Sequence, residues 1–275
     1  MWDRVRCAQM LPIRFEPLRD AVSGLAREAG AAILEVYQGD FEVQLKADAT
    51  PLTEADLRAQ ALLVRGLRGL TPDVPVLSEE QAEVPYEVRR SWPRFWLIDP
   101  LDGTREFVNR TGEFSVNVAL VDRGRPAFGV VYGPVDDVAY AGAPGQGAWR
   151  RKGDGAWSAI RAAAPEGRAL RVLTSRSHAG GRTRTWIESL AADWDVSVAQ
   201  RGSAIKACLV AEGHAHVYAR LGPTSEWDTA ASQAVLEAAG GVLRRVADGA
   251  PLAYNKPDLR NPEFYAAWGP EAPHP

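Results

Sequence analysis

Apolar residues recur at Leu18, Val22, Leu25, Ala29, Ala32, Ile33 and Val36, a three-four spacing that predicts one face of a long helix stopped by Gly39. The alternation Phe41-Glu42-Val43-Gln44-Leu45-Lys46 predicts a half-exposed strand, and Ala47 to Pro51 a loop. Thr53 is placed to cap a second helix running to about Leu70, with Glu54 and Asp56 in the first turn, where the helix dipole favours carboxylates. A short strand over Val74 to Leu77 delivers Ser78-Glu79-Glu80. The unbroken run Phe95-Trp96-Leu97-Ile98 predicts a buried strand, and Pro100 biases Asp99 towards extended backbone, which puts Asp99 at the strand end.

A short helix is expected over Arg105 to Asn109, followed by an antiparallel meander over Phe114 to Val121, Phe128 to Tyr132 and Val138 to Ala141. Gly145 to Gly155 reads as a glycine-rich bend, with one more strand near Trp157 to Ile160. The small, aperiodic segment Ala162 to Gly167 suggests a domain boundary, dividing an N-terminal α+β domain (17–164) from a C-terminal α/β domain (165–275), with residues 1–16 as a loose extension. In the second half, strands at Leu170 to Thr174, Val196 to Ala199 and His216 to Tyr218 alternate with helices at Thr183 to Ala192, Ser203 to Ala211 and Asp228 to Ala239, the last stopped by Gly240-Gly241.

Composition narrows the class. The 275 residues are 46% hydrophobic, enough for substantial cores, and 35 acids against 32 bases leave no basic field for capturing nucleic acid. Cys7 and Cys208 have no CxxC spacing, so neither a disulfide framework nor a zinc site is expected, and a reducing, cytoplasmic setting is the default. The four histidines form no HExxH, and His214 and His216 read as an exposed loop or strand pair. The first sixteen residues lack the apolar stretch of a signal peptide, and no transmembrane segment is expected.

The candidate chemistry lies in Asp99-Pro100-Leu101-Asp102-Gly103-Thr104. Two carboxylates leaving one strand suit a hard divalent cation such as Mg2+, Gly103 lets backbone approach a ligand closely, and Thr104 offers an N–H and a hydroxyl. The N–H groups of Gly103 and Thr104 would open the short helix, a favourable place for phosphate. Taken singly, each piece has a plain alternative: an Asp-Gly turn here, a helix start at Asp56, a solvated pair at Glu79-Glu80, a helix N-cap at Asp228.

Together, Asp56, Glu79-Glu80, Asp99 to Thr104, and Trp227-Asp228 followed by eleven residues and Gly240-Gly241 resemble the lithium-sensitive phosphatase superfamily, the inositol monophosphatase and bisphosphate nucleotidase group. The likeness runs from about Leu18 to Tyr265 and includes Ser175-Arg176-Ser177-His178, Gly202-Ser203 and Cys208 to Gly213. Gly103 to Phe107 and Gly112 to Asn117 are similar to the nucleotidase version, although Arg105 stands where those chains often carry lysine.

The resemblance implies a mixed α/β fold, a layered αβαβα sandwich of the inositol monophosphatase and fructose-1,6-bisphosphatase type. It implies a lithium-sensitive, Mg2+-dependent phosphohydrolase of sulfur metabolism that removes the 3'-phosphate from adenosine 3',5'-bisphosphate, with 3'-phosphoadenylyl sulfate a further candidate, by attack of a metal-activated water. Carried over by position, Glu79, Asp99 and the Leu101 carbonyl would hold one Mg2+, Asp99, Asp102 and Asp228 a second, and Glu79 would touch a weaker third. Glu79 and Thr104 would orient the water, with Asp56 accepting from Thr104, while the N–H groups of Gly103 and Thr104 grip the scissile phosphate. Ser203, Lys206 and Arg220 would hold the non-scissile phosphate and His178 would pack on the base. Inositol phosphate or another small sugar phosphate is the alternative substrate, and a nucleotide or metal sensor without turnover is the alternative of a different class. A monomer or homodimer is expected, with peripheral contact at the inner membrane as a further expectation.

Overall fold

The apolar run at 95–98 lies on a strand with a packed layer on each face. The computed structural model describes residues 15–45, 51–81, 84–176 and 180–275. The chain begins with α1 (Phe15–Gln38), a two-strand hairpin of β1 (Gln44–Leu45) and β2 (Pro51–Leu52), and α2 (Glu54–Leu70). Next come β3 (Val76–Ser78), a 3-10 turn (Glu79–Gln81), α3 (Tyr86–Arg89), β4 (Arg94–Asp102) and α4 (Thr104–Val108). The meander is β5 (Ser115–Asp122), β6 (Arg125–Gly133), β7 (Val138–Ala143), β8 (Gly147–Lys152) and β9 (Ser158–Ile160). The second half holds β10 (Ala169–Ser175), α5 (Gly181–Leu190), β11 (Asp195–Arg201), α6 (Ile205–Ala211) and β12 (Val217–Arg220). A 3-10 turn (Glu226–Asp228), α7 (Ala230–Ala238), β13 (Val242–Arg245) and β14 (Phe264–Ala267) complete it.

Strands β3 to β9 form a seven-stranded sheet in sequence order, and the five-stranded sheet runs β11-β10-β12-β14-β13. Trp96 and Ile98 point into a core with α1 and α2, whereas Phe95 and Leu97 point the other way, into a core shared with α6, α7 and the inner face of the second sheet. Leu170, Val172 and Val217 on the outer face of that second sheet pack with Trp186, Ile187 and Leu190 of α5. The result is the expected five-layer αβαβα sandwich. The 164/165 boundary separates the two sheets, but the core between them draws residues from both sides of it. No helix among the described residues is long and apolar enough to cross a membrane.

Several local expectations are corrected. Phe15 and Glu16, placed in the loose extension, open α1, and Phe15 is buried against Phe128 and Trp149; residues 1–14 lie outside the described residues. Of the strand expected at 41–46, the described residues form only Gln44–Leu45, and Lys46 lies outside them. The glycine-rich bend contains β8: Gly145, Gly147 and Gly153 turn at positive φ, and Ala148 to Arg150 carry the ladder between them. Strand β4 does not stop at Asp99 but continues through a register shift to Asp102. His216 is not exposed; it is 1% accessible, its Nδ1 accepts the Arg171 N–H at 3.0 Å, and burial pushes its imidazole down to about 4.

The middle layer depends on two glycines. Gly129 of β6 and Gly142 of β7 are cross-strand partners, and together they make a trough for α7. A Cβ on Gly142 would stand 2.7 Å from Val235 Cα and 3.0 Å from Ala238 Cβ. Gly142→Ala should therefore destabilise the protein by about 1–3 kcal/mol in chemical denaturation, the usual cost of overpacking. Gly24→Ala, on the exposed side of α1 with open space around it, should instead be neutral or stabilising.

Candidate active site

The parallel pairing of β3 with β4, Ser78 opposite Ile98, brings two strand ends to one point. Glu79 leaves the first and Asp99 continues the second on its inward face, while the turn before α7 brings in Asp228 from the other end of the chain. One carboxylate oxygen from each of Glu79, Asp99 and Asp228 lies within 4.8 Å of the other two. They line a cleft of about 500 Å3 between the two sheets.

So dense a group of acids disfavours its own ionisation. Burial, then the charges of Glu79, Asp102 and Asp228, push Asp99 well above the usual carboxylate range. Burial, with Asp102 and Glu79, pushes Asp228 up to about 8. Asp102 is also raised by burial, an effect opposed by Lys206 and by hydrogen bonds from Asn117 and Ala204. An all-oxygen, multiply acidic pocket that would otherwise hold protons is the donor set that hard divalent cations take. The residues therefore fit a metal site.

Asp102 stands on the far side of the β4 irregularity. Its Oδ2 accepts from Asn117 Nδ2 at 3.1 Å and the Ala204 N–H at 2.5 Å, which joins the β4 end to the segment opening α6. The Leu101 N–H donates to Asp99 Oδ1 at 3.1 Å. Gly103 turns the chain at φ 95°, where a Cβ would be strained and 3.2 Å from the Glu113 carbonyl.

Asp56 and Asp228 occupy equivalent positions in two capping boxes. Asp56 Oδ2 accepts from Thr53 N–H and Oγ1, both at 2.7 Å, and its Oδ1 is 3.3 Å from Thr104 Oγ1. Asp228 Oδ2 accepts the Ser225 N–H at 2.8 Å. Asp228 is thus the third residue of its 3-10 turn; the residue capping α7 is Thr229. Thr104 Oγ1 also lies 3.1 Å from the Leu101 carbonyl.

The same cleft also carries cations. Lys206 is buried in α6, where its Nζ bonds the Ser203 carbonyl and sits 5.1 Å over the Tyr218 ring. Burial pushes it down to about 8, against the pull of Asp102. Arg220 donates to the Pro223 carbonyl at 2.9 Å, while its buried Nε has no hydrogen-bond partner among the described residues. Ser203, Lys206 and Arg220 thus share the cleft with Asp99 and Asp228; His178 lies outside the described residues.

Sequence reasoning missed the anchors of this frame. Asn117 was visible only as part of a motif. Glu113 accepts a two-pronged bond from Arg176 at 2.9 and 3.0 Å and the Gly202 N–H at 2.9 Å, partners far away in sequence with no local signature.

The sequence model of the Inositol monophosphatase family matches residues 15–272. The chain is 47% identical over 249 residues to the 3'(2'),5'-bisphosphate nucleotidase CysQ of Escherichia coli (strain K12), covering 89% of this chain and 97% of that protein. It is 36% identical to the CysQ of Haemophilus influenzae, covering 90% and 92%. Among solved structures it is similar to CysQ from Bacteroides thetaiotaomicron, described as a bacterial member of the inositol monophosphatase family, at TM-score 0.82 and 39% identity, over 94% of this chain and 99% of that one. With the family match spanning both sheets and every strand end that reaches the cleft, the chain belongs to the inositol monophosphatase family.

Proposed function

We propose that this protein is a Mg2+-dependent 3'(2'),5'-bisphosphate nucleotidase that hydrolyses the 3'-phosphate of adenosine 3',5'-bisphosphate. The observation that carries the reading is one cleft lined both by the Glu79, Asp99 and Asp228 carboxylates and by Lys206 and Arg220. Such a cleft suits a ligand with two phosphates, one to be cut and one to be held. The names of the relatives at 47% identity support the same choice.

Glu79, Asp99 and the Leu101 carbonyl would hold one Mg2+, Asp99, Asp102 and Asp228 would hold a second, and Glu79 would contribute to a weaker third. Bound cations supply Lewis acidity, lowering the pKa of a coordinated water and neutralising charge on the phosphate and leaving oxygen. The chain supplies orientation. Asp56 and the Leu101 carbonyl are the acceptors available to the Thr104 proton, so the Thr104 oxygen is turned to receive a hydrogen bond from the attacking water. Glu79 would accept that water's other proton as the new P–O bond forms, and the 3'-oxygen, leaving as its P–O bond breaks, would take a proton from solvent water. The N–H groups of Gly103 and Thr104 hold the scissile phosphate where its charge grows. Arg220, Lys206 and Ser203 take the non-scissile phosphate, with the Arg220 Nε, unpartnered among the described residues, as its donor.

Phosphate release measured on adenosine 3',5'-bisphosphate, adenosine 3'-phosphate, inositol 1-phosphate and fructose 1,6-bisphosphate, with Mg2+ and with or without Li+, tests this reading. The adenosine bisphosphate should give the highest kcat/KM, and Li+ should inhibit. Preference for inositol 1-phosphate would overturn the substrate, and no Mg2+-dependent turnover on any compound would overturn the activity. In the same assay Arg220→Ala should raise KM for the bisphosphate about tenfold or more, the worth of a charge-assisted hydrogen bond, and leave adenosine 3'-phosphate little changed. Equal effects on both would remove Arg220 from the second phosphate.

A further inference from the structure

Glu226 is fully buried, yet it is an acid two residues from Asp228 that faces away from the cleft's acids. Its carboxylate is held by the loop before β14: Oε2 accepts the Asn255 N–H at 2.6 Å, and Oε1 accepts the Lys256 N–H at 3.0 Å and Lys256 Nζ at 2.6 Å. The other side of that loop is gripped by Arg89, itself 3% exposed. Arg89 donates to Asn255 Oδ1 at 3.0 Å, the Lys256 carbonyl at 2.6 Å and the Pro257 carbonyl at 2.9 Å, and its own carbonyl accepts from Asn255 Nδ2 at 2.7 Å. Asn255 sits at φ 65°, a left-handed conformation that asparagine tolerates better than most residues.

The bracket joins two pieces of chain far apart in sequence. Arg89 ends α3, the helix that follows the Glu79 turn, and Glu226 begins the turn that carries Asp228. A 3-10 turn of three residues cannot fix its own orientation, and a buried carboxylate persists only when its oxygens are fully partnered.

We propose that Glu226 and Arg89 are positioning residues for the cation site, setting through Asn255 and Lys256 the distance between Asp228 and the carboxylates of Glu79 and Asp99. The inference rests on the reading of Asp228 as a cation ligand. Mg2+ demands near-ideal octahedral geometry, so a shift of one ligand lowers affinity before it touches substrate binding.

The test uses the full-length protein, with Mn2+ binding read by electron paramagnetic resonance and the Mg2+ concentration for half-maximal activity read alongside. Glu226→Gln keeps the side chain's shape but turns an amide towards the Asn255 and Lys256 N–H donors. It should raise both quantities about tenfold, the low end for losing support behind a metal ligand, with KM for the bisphosphate at saturating Mg2+ unchanged. Lys256→Met, on a half-buried residue, should raise them less, and it carries the test if Glu226→Gln does not fold. Arg182→Met, which breaks the exposed Arg182–Glu263 pair elsewhere, should leave Mn2+ affinity as it is. Folded Glu226→Gln or Lys256→Met protein with wild-type Mn2+ affinity, even with lower kcat, would overturn the proposal. A wild-type protein that binds no Mn2+ would instead remove the cation site itself.

Discussion

Asp99→Asn should lower kcat on adenosine 3',5'-bisphosphate by at least about 10³-fold, equivalent to roughly 4 kcal/mol of transition-state stabilisation, and should raise the melting temperature of the metal-free protein. Both effects follow from one position. Asp99 is 1% exposed, and its carboxyl lies among those of Glu79, Asp102 and Asp228, so it is strongly penalised without cations, and under the proposed assignment it would bridge two of them. Asparagine keeps the oxygen that accepts the Leu101 N–H and removes the charge. In EDTA the variant should melt higher by about 5 °C, the shift expected for one or two kcal/mol in a chain of this size. With Mg2+ the order should reverse, because only the wild type gains from binding. Retention of more than a few per cent of kcat would exclude Asp99 as the bridge, and a lower melting temperature in EDTA would contradict the electrostatic account.

The metal-free wild type should lose stability as pH rises from 6.5 to 8. The folded-state pKa values of Asp99 and Asp228 lie above the ordinary value of 3.8, that of Asp228 at about 8. Over this range the folded protein holds on Asp228 a proton that the unfolded chain has released, so that contribution is complete below about pH 4 and disappears as pH passes 8. The window excludes two opposing groups. His216, lowered to about 4 from 6.5, favours higher pH only below 6.5, and Lys206, lowered to about 8 from 10.5, does so only above 8. The Asp228 proton alone amounts over this interval to a melting temperature lower by roughly 5 °C, and Asp99 acts in the same direction. Saturating Mg2+ should flatten the profile, since cations then stand in for the protons. Thermal melts in EDTA and in Mg2+ across this range decide it; a flat profile in EDTA would show that the acids are not paired as described.

What the sequence revealed divides along local and non-local lines. The Phe95 to Ile98 strand and the long α1 face were legible because a buried strand and an amphipathic helix each write a period into the chain. Strand β8 was hidden because glycines at its ends outweighed the six residues between Gly147 and Lys152. His216 was misread because the polar ring next to apolar Ala215 and Val217 suggests exposure, whereas the N–H that satisfies it comes from β10. For the site, the kinds of ligand were visible but their meeting was not: nothing local joins Asp56, Glu79, Asp99 and Asp228, and only the resemblance did. Arg89 and Glu226 lie beyond reach because buried ion and hydrogen-bond partners so distant along the chain have no spacing to read.

The glycine trough under α7 also sets an order of events at the ribosome. Strands β6 and β7 are complete by Ala143, but the helix that covers Gly129 and Gly142 ends at Ala238, about a hundred residues later, an interval of roughly 5–20 s at ordinary synthesis rates. For that time the nascent sheet presents Val131 and Tyr140 uncovered, a surface that chaperones recognise. The same helix arrives with Asp228 directly before it, so burial of the sheet and completion of the acid cluster are a single late step. A chain stopped short of it has an open core and an unfinished site together, and release of an active but poorly folded fragment is ruled out by the order of the residues.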